Sequence, residues 1–262
     1  MIRRALRVVI DGNIGSGKTT QLSLLEKTGY TVRREAIQDW PLEEFYKDPA
    51  RWAFLLHTSI LLTNQPGDGD PPLVLFERSL MSSRWVFWEV MKKQGLVTAK
   101  EDAIYDKLYD KHAWRPDLFI YLSKSPERCF EHIQGRNQPG DQGSITLDYL
   151  QQLDAAYKKL LANVPCKVLF VNADRPAEKI HAEIYRHLVE HTDEAYSLVA
   201  AEPHASSVDG ERSANALFSF SQPKKRTNEL FVSDPQRNEM QTKGGRRRKV
   251  SCSSLPDMCR LS

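Results

Sequence analysis

Eight residues near the start, Gly12-Asn13-Ile14-Gly15-Ser16-Gly17-Lys18-Thr19, fit the pattern G-x-x-x-x-G-K-[ST]. That spacing suits one chemistry. The glycines let the backbone wrap a phosphate with its N–H groups, and a helix opening at Lys18 adds the positive end of its dipole. Lys18 then reaches the β- and γ-phosphates of a nucleotide, and the Thr19 hydroxyl becomes a ligand for Mg²⁺. Thr20 continues the same turn. Such a loop implies a nucleotide without specifying a reaction. Three more ionisable residues stand where chemistry occurs in open sheets, at the ends of strand-like runs: Glu35, which ends the second, and the pair Glu77-Arg78 at the end of the third. Taken alone, Glu35 reads as a surface carboxylate.

The elements needed to position these residues are present. Residues 6–10 form a β-rich run that leads straight into Gly12, and residues 18–27 follow with a helical pattern. Further strands are expected at 31–35, 73–76, 118–122 and 167–171. Runs this short and this apolar suit strands buried on both faces. Helices are expected at 49–64, 82–94, 98–112, 126–135, 146–161 and 176–191. In the first of these, Trp52, Leu55, Leu56, Ser59 and Leu62 lie on one stripe. On the same helix, positions 53, 57, 60 and 64 share another face. Alternation of strand and helix predicts an α/β domain with a parallel sheet. No internal repeat is visible.

Composition sets the outer limits. The chain has 262 residues with 40% apolar and a net charge of +3, which is too mild to argue nucleic-acid binding for the whole chain. No apolar run reaches the ~18 residues of a membrane span. The N-terminus leads into a strand rather than a signal-peptide core, which argues against secretion. Cys129, Cys166, Cys252 and Cys259 fit no metal spacing and are expected as free thiols in a reducing compartment. Residues 203–262 carry 11 Lys and Arg against 6 Asp and Glu, and their apolar share is 28%. Such a stretch buries too little surface to offset its ordering entropy. The expected organisation is a folded domain over residues 1–192 and a disordered basic tail over 193–262. The tail clusters Pro223-Lys224-Lys225-Arg226 and Gly244-Gly245-Arg246-Arg247-Arg248-Lys249 read as solvating charge or as a nuclear-import signal, so a cytoplasmic or nuclear rather than a mitochondrial location is expected.

Several motifs in order narrow the choice of phosphate-loop protein. They are Gly12-Asn13-Ile14-Gly15, Glu35 with Trp40, Tyr46 followed by Pro49 and Arg51-Trp52, and Phe76-Glu77-Arg78-Ser79 with Ser82, Arg84 and Phe87. Pro116-Asp117, Ile120-Tyr121-Leu122, Pro126-Glu127 and Gly135-Arg136-Asn137 follow. Over about residues 5–190 the chain resembles the deoxynucleoside kinase family, which includes the deoxycytidine, deoxyguanosine and thymidine-type kinases. The resemblance implies a three-layer fold with a five-stranded parallel sheet, dependence on ATP and Mg²⁺, phosphorylation of a deoxynucleoside 5′-hydroxyl, and a homodimer. From composition and charge, no membrane and no specific nucleic-acid partner are expected.

The same resemblance assigns roles. Glu35 would be the base for the 5′-hydroxyl, Arg78 would lie against the hydroxyl and the transferring phosphate, and Glu77 would help Thr19 hold Mg²⁺. Arg136 would clamp the γ-phosphate, with Arg128 and His132 earlier on the same helix face. Asn172-Ala173-Asp174 would border the adenine. Trp40 and Phe87 would flank the base, Tyr46 would meet the sugar 3′-hydroxyl, and Asp141 lies where a Glu often shares that contact. His57 stands where the family carries a base-reading Gln. Ser83 and Asn64 replace an Asp and an Arg of the deoxycytidine branch. A small residue at position 83 leaves room for a 5-methyl pyrimidine, so thymidine or deoxycytidine is expected. Two rival readings remain: a thymidylate-type monophosphate kinase, whose strand-end motif is normally Asp-Arg, and a non-catalytic nucleotide-binding subunit of the same fold.

Overall fold

A computed structural model of the chain describes residues 5–136 and 145–201. Five strands form one parallel sheet in the order β2-β3-β1-β4-β5. They are β1 (Leu6–Asp11), β2 (Thr31–Arg33), β3 (Leu73–Glu77), β4 (Leu118–Ser123) and β5 (Lys167–Asn172). The helices are α1 (Lys18–Lys27), α2 (Leu42–Lys47), α3 (Pro49–Thr63), α4 (Leu80–Ser82), α5 (Glu89–Lys93), α6 (Ala99–His112), α7 (Pro126–Arg136), α8 (Leu147–Leu161) and α9 (Ala177–Ala201). A π-helical segment, Ser83–Trp88, joins α4 to α5.

Alternating side chains of the buried strands build two cores, so the fold has three layers. Val8, Ile10, Leu75, Ile120 and Leu122 point to the face covered by α1 and α9, meeting Leu22, Leu25, Ile180 and Ile184. Val9, Val74, Phe76, Phe119 and Tyr121 point to the other face, meeting Trp88, Tyr105, Leu153 and Tyr157. Full burial of such side chains, each worth about 1.5–3 kcal/mol, is the main force holding the sheet between its layers.

The topology creates the crevice. After β1 the chain crosses to β2 on one side, and after β3 it crosses back past β1 to β4. Connections therefore leave β1 and β3 in opposite directions, and a cleft opens beyond their carboxyl ends. In register, Ile10 faces Glu77. Asp11 and Gly12 thus leave β1 beside Glu77 and Arg78 leaving β3.

Most sequence expectations hold to within a residue or two, and the exceptions have physical causes. Thr98 and Thr146 are caps rather than first helical residues: the Thr98 hydroxyl accepts from the Glu101 N–H and that of Thr146 from the Tyr149 N–H. The segment expected as one helix at 82–94 is broken by its π-helical turn. Arg84 anchors that turn, donating to Asp106 at 2.7 Å and to Glu89 at 2.5 Å. Helix α9 runs ten residues past 191, to Ala201. The stripe read along α3 is not its buried face, although Leu56 belongs to both. Leu55 and Leu62 are 47% and 58% exposed, and the buried residues are Ala53, Leu56, His57 and Leu61. Because α3 is apolar almost all round, periodicity cannot choose its inner face, and packing against α2 and the π segment does. Both cysteines among the described residues, Cys129 and Cys166, are free.

Candidate active site

The loop after β1 is shaped by close packing. Gly15 has φ +80°, and a Cβ there would stand 2.6 Å from the Cys129 carbonyl oxygen and 2.9 Å from Ile133 Cγ1 on α7. Only glycine fits so near a neighbouring backbone. Gly17 has φ +100° and caps α1. Asn13 ties the loop to α8 by donating from Nδ2 to the Leu150 carbonyl at 2.9 Å. Ile14 packs on the core, and Thr20 is exposed. Lys18 is buried and donates to the carbonyls of Gly12 at 3.1 Å and Asn13 at 2.8 Å. The Ser16 Oγ is buried without a partner. A tight cradle, an unpaired hydroxyl and an ammonium turned into the loop fit a polyphosphate.

At the mouth of the crevice, Thr19 Oγ1 donates to Glu77 Oε1 at 2.6 Å. These are the two residues that the sequence singled out for Mg²⁺, and both supply the oxygen ligands a hard cation takes. Among the described residues no group of three or more His, Cys, Asp or Glu is placed to hold a metal. A cation here would therefore fill its remaining positions with phosphate oxygens and water.

Glu35 does not end β2 as expected. The strand stops at Arg33, and Glu35 lies two residues beyond, in the connection to α2. It still reaches the crevice, because Arg78 Nε donates to Glu35 Oε1 at 2.8 Å. Arg78 has a left-handed backbone, φ +62°. Its N–H donates to the Ile10 carbonyl at 3.0 Å, and its own carbonyl accepts from Asn64 Nδ2 at 3.4 Å. A strained backbone over-determined by hydrogen bonds is a common mark of a functional position. The guanidinium lies over the Phe87 ring, 4.5 Å from its centre. Two residues that the motifs did not flag complete this cluster. Asp11, fully buried, accepts from the Ser79 N–H and hydroxyl, both at 3.1 Å. Tyr157 accepts from Arg78 Nη1 at 2.7 Å and donates to Asp11 Oδ1 at 2.8 Å. An acid at the end of a buried strand was a readable signal for Asp11; nothing in the sequence marked Tyr157.

Burial governs the ionisation of this cluster. It brings the Lys18 ammonium down to about 8, helped by the charge of Arg78. It pushes the Glu35 carboxyl above its ordinary value, although Arg78 pulls the other way.

The expected nucleoside residues fall in two groups. His57 and Ser83 meet: Ser83 Oγ lies 3.1 Å from His57 Nδ1 and 3.5 Å from the Tyr105 hydroxyl. The imidazole sits edge-on to Trp88 and Tyr105, whose rings stack 4.1 Å apart. Burial, and then the charge of Arg84, push His57 down to about 3, so it is neutral. Trp40 and Tyr46 belong to the second group. Trp40 packs against Ala53 and Leu56, and its Nε1 donates to Thr63 Oγ1 at 2.9 Å. Tyr46 lies on α2 against Phe45.

On the far side of the loop, His132 Nδ1 meets the Gly15 carbonyl at 2.7 Å, so that nitrogen carries a proton. A cleft of about 500 Å³ runs beside it, lined by Lys124, Arg128, Glu131, His132 and Gly135. Arg128 is exposed and pairs with Glu131 at 2.8 Å and with Asp174 at 3.6 Å. Arg136 is the last residue of α7. Asp141, like the tail beyond Ala201, lies outside the described residues.

The chain is similar to known proteins. The family model for deoxynucleoside kinase matches residues 8–195. The deoxycytidine kinase 2 of Gallus gallus is 29% identical over 236 residues, covering 69% of this chain and 88% of that one. The mitochondrial thymidine kinase 2 of Homo sapiens is 27% identical over 196 residues, covering 66% and 72%. Among solved structures, the deoxyadenosine kinase from M. mycoides with the products dCMP and dCDP superimposes with a TM-score of 0.64 at 21% identity. It covers 71% of this chain and 99% of that one, a likeness of fold.

Proposed function

The chain belongs to the deoxynucleoside kinase family, and on that premise we propose that it transfers the γ-phosphoryl group of ATP to the 5′-hydroxyl of a pyrimidine deoxynucleoside. One observation carries the reading: Lys18, the Thr19–Glu77 pair and the Glu35–Arg78 pair converge on a single crevice beside the phosphate loop. Glu35 takes the proton of the 5′-hydroxyl, whose oxygen attacks the γ-phosphorus while the bond to the β–γ bridging oxygen breaks and ADP leaves. Lys18 and Arg78 hold the phosphoryl oxygens, and Arg136 closes on them from α7. Thr19 and Glu77 would hold Mg²⁺, directly or through water, and the cation would supply charge neutralisation on the phosphates. The cleft beside Arg128 and Asp174 takes the adenosine end of the donor.

The pyrimidine preference rests on the base-reading end. Relatives are named for different bases, so the preference comes from this chain's own residues. His57, Ser83, Trp88 and Tyr105 are each 2% exposed or less and bonded or stacked to one another, which leaves a floor that does not give way to a larger ring. With ATP and Mg²⁺, thymidine or deoxycytidine is expected to exceed deoxyadenosine and deoxyguanosine in kcat/KM by at least ~10-fold, about 1.4 kcal/mol. A purine in first place removes the pyrimidine assignment; turnover of monophosphates alone removes the nucleoside one.

Two further assignments belong to this reading. Leu55 and Leu62 on α3 and Ile104 on α6 are exposed apolar side chains, and we assign them to a homodimer contact. We place the kinase domain at residues 1–192 and a basic tail at 193–262, the first part of which continues α9 to Ala201. Deleting residues 203–262 is expected to leave the melting temperature and kcat unchanged, with light scattering giving twice the chain mass before and after. A large fall in melting temperature, or a monomer, would count against one or the other assignment. No helix of the described residues is long and apolar enough to cross a membrane.

A further inference from the structure

Tyr157 stands on α8, remote in sequence from every motif of the site, yet its hydroxyl is the hub of the site's polar network. It accepts from Arg78 Nη1 at 2.7 Å. Its proton goes to Asp11 Oδ1 at 2.8 Å, with the Gly12 carbonyl oxygen at 3.0 Å. The ring is fully buried, edge-on to Phe87 and tilted against Tyr121. Burial holds the phenol well above its ordinary pKa, so it remains a donor.

The guanidinium of Arg78 is therefore held on three sides. Glu35 takes Nε, the Phe87 ring supports the flat face, and Tyr157 takes Nη1. The charge of Asp11 lies 3.6 Å from the same nitrogen, the Tyr157 hydroxyl bonds to both groups, and the Gly12 carbonyl also accepts from Nη1 at 3.3 Å. A phenol is suited to that place because it offers one donor and accepting lone pairs at once. Phenylalanine would fill the same space but leave Arg78 Nη1 one acceptor short and remove the link to Asp11.

We propose, resting on the phosphoryl-transfer reading above, that Tyr157 is a positioning residue. It fixes the direction of the Arg78 guanidinium and couples it through Asp11 to the mouth of the phosphate loop.

A double-mutant cycle tests this. Tyr157→Phe is expected to lower kcat by about 10-fold or more while changing KM for nucleoside and ATP by less than about 3-fold, since the lost alignment matters most in the transition state. In an Arg78→Lys background the same change is expected to cost less than about 2-fold, because the group it positions is already gone. Tyr157→His, which again offers one donor and one acceptor on a ring, is expected to recover part of the loss. Effects that multiply in the double mutant, or a Tyr157→Phe kcat within 2-fold of wild type, overturn the proposal. A second readout needs no activity. An Arg78 Nη–H resonance, assigned by its loss in Arg78→Lys, is expected to be protected from solvent exchange in the wild type and to lose protection in Tyr157→Phe. Unchanged protection overturns the proposal too. A wild-type protein that phosphorylates no deoxynucleoside sinks the functional reading instead, and the resonance still decides whether Tyr157 holds Arg78.

Discussion

Lys18→Ala is expected to leave a folded protein with less than a tenth of wild-type kcat. The ammonium is turned into the phosphate loop and meets two of the loop's carbonyls. Its removal takes a point charge from the β- and γ-phosphates at the moment when charge moves between them. The fold should tolerate the loss for two reasons. Burial already lowers this ammonium to about 8, so its charge is costly in the native state. The Gly12 carbonyl also keeps another donor, Arg78 Nη1. Circular dichroism and a thermal melt check the fold, and steady-state kinetics with saturating ATP check kcat. A variant retaining more than about a tenth of wild-type kcat would detach this loop from phosphoryl transfer.

Glu35→Gln is expected to lower kcat by about 10²- to 10⁴-fold, the usual cost of losing a general base, with a much smaller change in KM for ATP. Glutamine keeps the size of the side chain, and its carbonyl oxygen can still accept from Arg78 Nε, so the pair geometry survives. What disappears is the ability to take a proton. The pH profile gives an independent check. Burial raises the Glu35 pKa, and the base works only when ionised, so kcat falls as pH drops through that raised value. The glutamine variant should lose this acidic limb. A near wild-type kcat with chemistry rate-limiting would reduce Glu35 to a binding or structural role. Arg78→Ala is expected to follow the same pattern, lowering kcat far more than it raises KM.

What could be read in advance follows from local chemistry. The phosphate loop, its strand and its helix are contiguous, and so are Glu77 and Arg78 at the end of an apolar run; each is specified by neighbours in the chain. Pro49 with its Asp48 cap, and Thr98 with Glu101, likewise mark helix starts through bonds spanning three residues. The resemblance to a family was legible because its motifs occur in a fixed order. Helix α3 was less readable, since an almost uniformly apolar helix carries no directional signal. The π-helical turn was also hidden, because its Arg84 partner Asp106 lies on another helix.

The amino-acid sequence on its own therefore determined the class of fold, the phosphate cradle and the identity of most groups around it. Only the tertiary structure decided how those groups meet. Glu35 reaches Arg78 across 43 residues, Tyr157 reaches it across 79, and Asp11 joins Tyr157 across 146. Such contacts depend on which strands lie side by side and on the angle at which α8 crosses them. Those are properties of the packed sheet and its layers, set by burial summed over the whole domain rather than by any local run of residues. The same packing takes His57 out of water and keeps it neutral between Trp88 and Tyr105, so the residue that the resemblance sets at the base-reading position becomes a fixed polar wall.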